Sequence, residues 1–456
     1  MSTSTAIAIE RAGVVGAGGG GFPTHVKASG KAEIVLGNGA ECEPLLRADS
    51  ELMQREPERV VRGASLLRES VGAERALIAV KKKNERAIAA LESALVGQER
   101  IDLLPLTNVY PAGDEYLLVY EATGRVVPEG GIPLDVGVVV NNVTTLAQVA
   151  DAVEGRPVTR KMVTVQGEVR RPTTFRAPIG TPIADLIERA GGVTTDDPAI
   201  VIGGPMMGRV AAQAGEVTDK RVAGLIVLPG HHHLIAAMST RQEQVLRIAR
   251  AACCQCLACT ELCPRALLGH DLAPHRTVRA IQYGDIDVNH EHITSAFLCC
   301  ECGMCELFAC PLEIQPRRIL ADLKAELIRR GIANPHVRKD LSAATVREYR
   351  QIPTVRLVRR LGLAEYDREA PLDETPIEPA VVVLKLKQHM GEPSLPLVSV
   401  GQDLLEGDVV AEPPPESLGA RVHASIAGRV EEVGELSVTL RAQASTRATG
   451  DGGRAA

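Results

Sequence analysis

Short apolar runs alternate with stretches of helical periodicity over residues 1 to 155. "AEIVLGNGAE" predicts a strand and a loop, "ERALIAVKKKNERAIAALESAL" a strand, a turn and a helix, and "DVGVVVNN" a strand ending on asparagine. Unbroken apolar strands separated by helices are the pattern of a mostly parallel α/β sheet covered on both faces. The texture changes near residue 158. "KMVTVQGEVRRPTTFRAPIGTPIADLIERAGG" reads as strand, turn, strand, then a helix that opens at Thr181-Pro182 and closes at Gly191-Gly192. With "VAGLIVLP" as a later strand, 158–230 forms a small mixed domain.

Residues 240–330 carry a helical pattern, and a basic helical linker is expected over 331–375. The wider stretch 317–363 holds 12 Lys/Arg against 4 Asp/Glu, which reads as a solvated helical face or a dock for an acidic partner. After the Pro-rich "EAPLDETPIEP", short strands and glycine turns predict an all-β unit over 376–442. A polar tail, 443–456, is expected to be disordered.

Composition narrows the class. The chain has 456 residues, too many for one core, with 45% hydrophobic and 24% charged positions. A net charge of −6 and 2% aromatic residues speak against nucleic-acid binding. No run of about 18 apolar residues occurs, so no transmembrane helix is expected. The start "MSTSTAIAIERAG" lacks the parts of an export signal, so a cytoplasmic setting is expected.

Ten of eleven cysteines fall in two bursts, "CCQCLACTELCP" and "CCECGMCELFACP". In a chain without an export signal, clustered thiols read as metal ligands. The first burst fits C-x2-C-x2-C-x3-C-P as Cys253, Cys256, Cys259 and Cys263; the second fits C-x2-C-x2-C-x4-C-P as Cys299, Cys302, Cys305 and Cys310. Close spacing lets one turn of backbone wrap three thiolates around a cubane, while the remote Cys-Pro serves the other cluster. The expected sets are therefore Cys253, Cys256, Cys259 with Cys310, and Cys299, Cys302, Cys305 with Cys263. Zinc knuckles show longer separations between CxxC pairs. Cys254 and Cys300 break the rhythm and read as small buried packing residues, or as groups that tune a cluster. Two [4Fe–4S] clusters make a relay for single electrons, which needs a source.

"GAGGGGFPTHVK" offers backbone N–H groups that could close on a phosphate. It fits neither a P-loop nor a dinucleotide fingerprint, and a flexible linker is the competing reading. Polar residues at predicted loop ends follow in "GNGAECEP", "YPAGDEYLL" and "VVVNNVTTL", where open α/β sheets bind ligands. Cys42, between two glutamates, reads as a small buried residue or a thiol near the cofactor. The "HHH" run at 231–233 cannot aim three adjacent side chains at one ion, so no metal site is assigned there.

"GGGGFPTHVK", "NGAECEP" and "NNVTTL" resemble the flavin-binding (51-kDa) subunit of respiratory complex I, and more closely the C subunit of the Rnf electron-transport complex. The order of units, with the barrel-sandwich-like segment last, is similar to the PduS-type cobalamin reductases of bacterial microcompartments. This resemblance implies a flavin-binding α/β domain (1–155), an SLBB β-grasp domain (158–230), a helical di-cluster ferredoxin-type domain (240–330) and a C-terminal barrel-sandwich domain. It implies FMN and two [4Fe–4S] clusters, with NADH as donor and a corrinoid as acceptor. Gly18, Gly19, Gly20, Gly21 and Lys27 would hold the FMN phosphate region; Asn38, Glu41, Asn141, Asn142 and Thr145 would contact the rest of the flavin. Phe22 and Glu43 are placed on the nicotinamide side, with a core aromatic that anchors the loop as the competing reading of Phe22. No catalytic acid or base is assigned, because hydride and electrons move without one. A corrinoid-handling enzyme such as an adenosyltransferase, an electron-acceptor protein and a microcompartment shell are the partners implied. The C-terminal unit resembles a biotinyl or lipoyl carrier, but no lysine follows Lys387 to carry a group, which leaves docking or structure. An Rnf-like subunit serving ferredoxin or a membrane partner is the alternative, and a non-enzymatic assembly subunit with structural clusters the second.

Overall fold

The computed structural model describes residues 4–212, 215–281 and 290–443. The expected tail, 443–456, lies outside them except for its first residue.

Four parallel strands form the first sheet, in the order Ile101–Leu106, Arg75–Lys81, Ile34–Gly39, Val138–Asn142. Their residues alternate between two cores. Val35, Ile78 and Val139 join the helices Ser4–Arg11, Pro57–Val71 and Val143–Val153 on one face; Leu36, Leu77 and Val140 meet the helix Glu115–Thr123 on the other. Burial on both faces explains why the strands read as unbroken apolar runs.

Pro57–Val71 and Val143–Val153 cross very closely. A Cβ on Gly63 would lie 1.8 Å from the Leu146 carbonyl oxygen. Backbone cannot give way there as a side-chain tip can. Gly63→Ala is expected to cost about 3 kcal/mol of stability, measurable as a lowered urea midpoint; an unchanged midpoint would show that the helices separate freely.

The second sheet has six strands where three were expected. Its order is Leu372–Asp373, Thr173–Pro178, Arg160–Gly167, Gly224–Pro229, Pro198–Ile202, Arg209–Val210, with the helix Ile183–Arg189 packed on it. The Pro198–Ile202 and Arg209–Val210 strands lie among prolines and glycines that mask their pattern. Leu372–Asp373 arrives from far along the chain to pair in parallel with Thr174 and Phe175.

The basic helical linker is corrected by the structure. Over 331–375 a single α-helix, Thr354–Arg360, is present among the described residues, and the rest is loop with short 3-10 turns at Arg347–Arg350 and Ala364–Tyr366 and two-residue strands. The segment is a strap. Ile352–Pro353 pairs with Val109–Tyr110, Arg338 grips Glu129 through Nε at 3.0 Å, and Arg347 pairs with Glu121. Part of its basic charge is thus spent on the acidic side chains of its own first domain.

The final unit consists of a four-stranded and a three-stranded sheet between residues 381 and 442. Val382, Leu384, Val410 and Leu440 belong to the same apolar core as the helices of the first domain. This unit is docked rather than tethered. Met390 N–H donates to the Gly21 carbonyl at 2.9 Å, and buried Lys220 bridges the carbonyls of Gly13 and Arg421, each at 2.6 Å.

Candidate functional site

The glycine loop leaves the first domain at Val14 and returns through an antiparallel bridge between Val15 and Pro23. Gly16 N–H donates to Phe22 O at 2.9 Å, and Gly21 N–H to Gly16 O at 3.0 Å, so the loop is a closed hairpin. Gly18, Gly19 and Gly20 are exposed at its tip. A Cβ on Gly19 or Gly20 would meet nothing within 4 Å. These positions border open space that a ligand can occupy.

The loop is held over the carboxyl ends of the two strands that pair Gly37 with Asn141 and Asn38 with Asn142. Thr145 Oγ1 accepts from Ala17 N–H at 2.9 Å, and the buried Lys161 ammonium donates to Ala17 O. A Cβ on Gly18 would come 3.3 Å from Asn142. Asn141 is 4% exposed, yet its Nδ2 has no hydrogen-bond partner. A buried amide left open costs stability unless something fills it, so it fits a polar ligand at the strand ends.

Several expected contact residues are already engaged within the protein. Asn38 Nδ2 donates to Gly113 O at 2.9 Å. Asn142 caps the helix after it through Thr144 N–H (2.9 Å) and donates to Asp49 at 2.7 Å. Lys27 reaches Val140 O at 2.7 Å and Glu115 at 3.1 Å, and lies 5.9 Å from the centroid of the half-buried Phe22 ring. Glu41 accepts from Asp49 N–H at 2.8 Å; burial, then the facing Asp49 charge, holds its carboxyl above the usual range. Cys42 is half-buried and accepts from Gly113 N–H at 3.2 Å; burial pushes its thiol up to about 11.

Glu43 reaches into the second domain, accepting from Met206 and Met207 N–H groups, both at 2.9 Å. Burial pushes its carboxyl up to about 7 against the pull of those donors, from an ordinary value of 4.5. A raised folded value means that the native state holds the proton more tightly than the unfolded chain. The resulting stability is present below about 4.5 and is lost as pH rises towards 7. Urea midpoints are therefore expected to fall between pH 5 and pH 8, and Glu43→Gln to flatten that slope; an equal slope in the variant would assign it elsewhere.

The two cysteine loops share one backbone design. Gln255 and Leu257 have φ of 55° and 66°, and the corresponding Glu301 and Gly303 have 58° and 77°. Left-handed residues between the thiols curl each loop so that its sulfurs face inward. Gln255 Nε2 donates to Cys253 Sγ at 3.1 Å, and Glu301 N–H to Cys299 Sγ at 3.3 Å. The extra residue before Cys310 is absorbed by a π-helical turn, Met304–Ala309, where the first loop has the α-turn Ala258–Glu261.

Cys253, Cys256, Cys259 and Cys310 line one cavity. Cys299, Cys302, Cys305 and Cys263 are buried together. Burial raises the Cys299 and Cys305 thiols, the hydrogen bond to Cys300 raises Cys302, and the charge of Cys263 adds to all three. Among the described residues no three His, Cys, Asp or Glu side chains converge to hold a single metal ion. Cys254 is exposed, which corrects its reading as a buried packing residue; Cys300 is half-buried.

The second cysteine set adjoins the first domain. Tyr110 Oη donates to the Cys302 carbonyl, and Arg265 pairs with Asp114 at 2.9 Å. Sequence reasoning took Tyr110 and Asp114 only as part of a polar loop-end stretch and passed over Lys161 and Arg265; the one available signal was a charged residue inside an apolar strand, as for Lys161. The histidine run has local roles. His232 accepts from Leu234 N–H at 3.2 Å, capping the following helix, and stacks on His233 with centroids 4.6 Å apart.

Comparison with known proteins agrees with this architecture. The model of the Nuo51 FMN-binding domain matches residues 9–151, the SLBB domain 162–210, a 4Fe-4S dicluster domain 252–315, and the RnfC barrel sandwich hybrid domain 364–448. Cobalamin reductase PduS of Citrobacter freundii is 43% identical over 435 residues, 95% of each chain; that of Salmonella typhimurium is 44% identical over 440 residues, again 95% of each. The chain belongs to the PduS cobalamin reductase family. It is an oxidoreductase built for FMN and two [4Fe–4S] clusters. The C subunit of the Na(+)-translocating ferredoxin:NAD(+) oxidoreductase complex of Acetobacterium woodii is 37% identical over 259 residues, 56% of each chain. PduS relatives thus align with the C-terminal sheets as well as the redox domains. No described helix is long and apolar enough to cross a membrane.

Proposed function

We propose that this chain oxidises NADH and delivers the electrons singly to a corrinoid. FMN supplies the exchange between a two-electron hydride and single electrons, and the clusters relay those electrons. The exposed Gly18, Gly19 and Gly20, with Gly21 and the open Asn141 amide, receive the flavin. Asn38, Glu41, Asn142, Thr145 and Lys27 hold the surrounding loops in place. Phe22 and Glu43 border the nicotinamide side. Cys299, Cys302, Cys305 and Cys263 ligate an inner cluster, and Cys253, Cys256, Cys259 and Cys310 an outer one.

The observation that carries the reading is the gradient of burial across the two sets. The inner four cysteines are all buried and the Cys302 carbonyl accepts from Tyr110 of the flavin domain, whereas in the outer set only Cys310 is buried, Cys253 and Cys259 are half-buried and Cys256 is exposed. The buried set, next to the flavin domain, would hold the cluster that takes electrons first, and the more exposed set the one that passes them on. The corrinoid as acceptor is supported by the name of the relatives that match along 95% of the chain. An adenosyltransferase that consumes reduced corrinoid and enclosure in a microcompartment belong to the same proposal.

A second reading, delivery to ferredoxin or a membrane partner, is favoured by the Rnf-type match. Anaerobic protein reconstituted with FMN, iron and sulfide separates the two. NADH is expected to bleach the flavin and to drive hydroxocobalamin to the cob(I) state faster than it reduces ferredoxin; the reverse preference would favour the second reading.

A further inference from the structure

Arg265 is a buried cation beside the inner cysteine set that neither hydride transfer nor ligation uses. It stands two residues after Cys263 and is 8% exposed. Nη2 donates to Asp114 at 2.9 Å, and the guanidinium stacks 3.4 Å from the centroid of the Tyr116 ring. Asp114 in turn accepts from Tyr116 and Leu117 N–H groups at 3.0 and 3.2 Å, capping the helix Glu115–Thr123. The cation is therefore gripped from the flavin domain on one side. Its positive charge acts on the Cys263 and Cys300 thiols of the cysteine loops. Nε and Nη1 are buried without a hydrogen-bond partner.

Such an arrangement is expensive as architecture. Two unmet donors on a buried cation cost stability, and a packed apolar residue would join the two domains at least as well. The cost is explained when the positive charge faces a group that becomes more negative. Cluster potentials respond to nearby charge and to hydrogen bonds aimed at their sulfurs. A buried positive charge favours the reduced form and raises the potential of the cluster beside it.

We infer that Arg265, held in place by Asp114 and Tyr116, sets the potential of the inner cluster and makes it the ready first acceptor of electrons leaving the flavin domain. This rests on the ligand reading above, in which Cys263, Cys299, Cys302 and Cys305 share one cluster. Arg265 acts through that cluster and is a positioning residue, not a catalytic one.

Redox titration of the reconstituted full chain, followed by electron paramagnetic resonance, tests it. In Arg265→Gln the inner cluster is expected to become about tenfold harder to reduce, a shift of about 59 mV for a one-electron couple, with the outer cluster unmoved. Arg265→Lys is expected to restore most of the shift. Asp114→Asn, which keeps a helix-capping side chain, is expected to move the same cluster in the opposite direction. If Arg265→Gln fails to load clusters, the test is carried by Asp114→Asn, expected to raise the inner potential above wild type, and by Arg265→Lys, expected to leave it near wild type. Unmoved potentials in every loaded variant, equal shifts in both clusters, or the same sign for Gln and Asn would overturn the inference. A wild-type protein lacking two separate cluster signals would instead bring down the ligand reading beneath it.

Discussion

Cys305→Ser is expected to abolish delivery of electrons to any acceptor while leaving the flavin reducible by NADH. Cys305 is 7% exposed and sits at the start of the π-helical turn that leads to Cys310. A serine hydroxyl does not ionise as a cysteine does, so the inner cluster loses a ligand that no neighbour can replace. Cys300, the nearest spare thiol in sequence, is turned towards Cys302 and Arg265. Altering groups that merely support a metal ligand costs about 10- to 100-fold, and loss of a ligand is expected to exceed this. Acceptor reduction should fall by more than about 100-fold, with bound iron reduced by about half and NADH-dependent bleaching of the flavin preserved. Exposed Cys254 supplies the contrast, since Cys254→Ser should keep both iron and turnover. Full iron content and turnover in Cys305→Ser would remove the cluster from the electron path.

Gly20→Val is expected to remove FMN binding without weakening the protein. Gly20 has no left-handed φ to preserve, it is exposed, and a Cβ there touches nothing within 4 Å. A β-branched side chain would occupy the space left open above the strand ends. Affinity for FMN should fall by about 100-fold, equivalent to about 2.7 kcal/mol, whereas the urea midpoint should not change. This separates it from Gly63→Ala, where the new carbon meets the Leu146 carbonyl and stability is lost. Titration of the flavin-free protein by quenching of FMN fluorescence, alongside urea denaturation, reads both quantities. Undiminished FMN affinity in the valine variant would place the flavin away from the glycine tip.

How much of this was legible in the sequence depends on the range of the interactions involved. Strands Ile34–Gly39, Arg75–Lys81 and Val138–Asn142 declared themselves because burial on both faces demands unbroken apolar runs. The dicluster segment did so because cysteine spacing is a local property of the backbone, reinforced by the left-handed residues between the thiols. Pro198–Ile202, Leu372–Asp373 and the strap across the first domain were illegible, since short strands acquire their identity from partners distant in the chain.

The same division runs through the site itself. Residue types and spacings alone determined the chemistry, namely thiolates for two clusters and a glycine loop free of side chains over a parallel sheet. Tertiary structure alone decided the commitments of the charged groups. Glu43 serves the turn at Met206 and Met207, Lys161 holds Ala17, and Arg265 is locked to Asp114 beside the inner thiols. It also decided that Cys256 reaches the surface while Cys263, Cys299, Cys302 and Cys305 are buried. Spacing along a chain specifies what a local loop can ligate, but burial and ion pairing depend on what other segments bring against that loop, and those segments lie more than a hundred residues away.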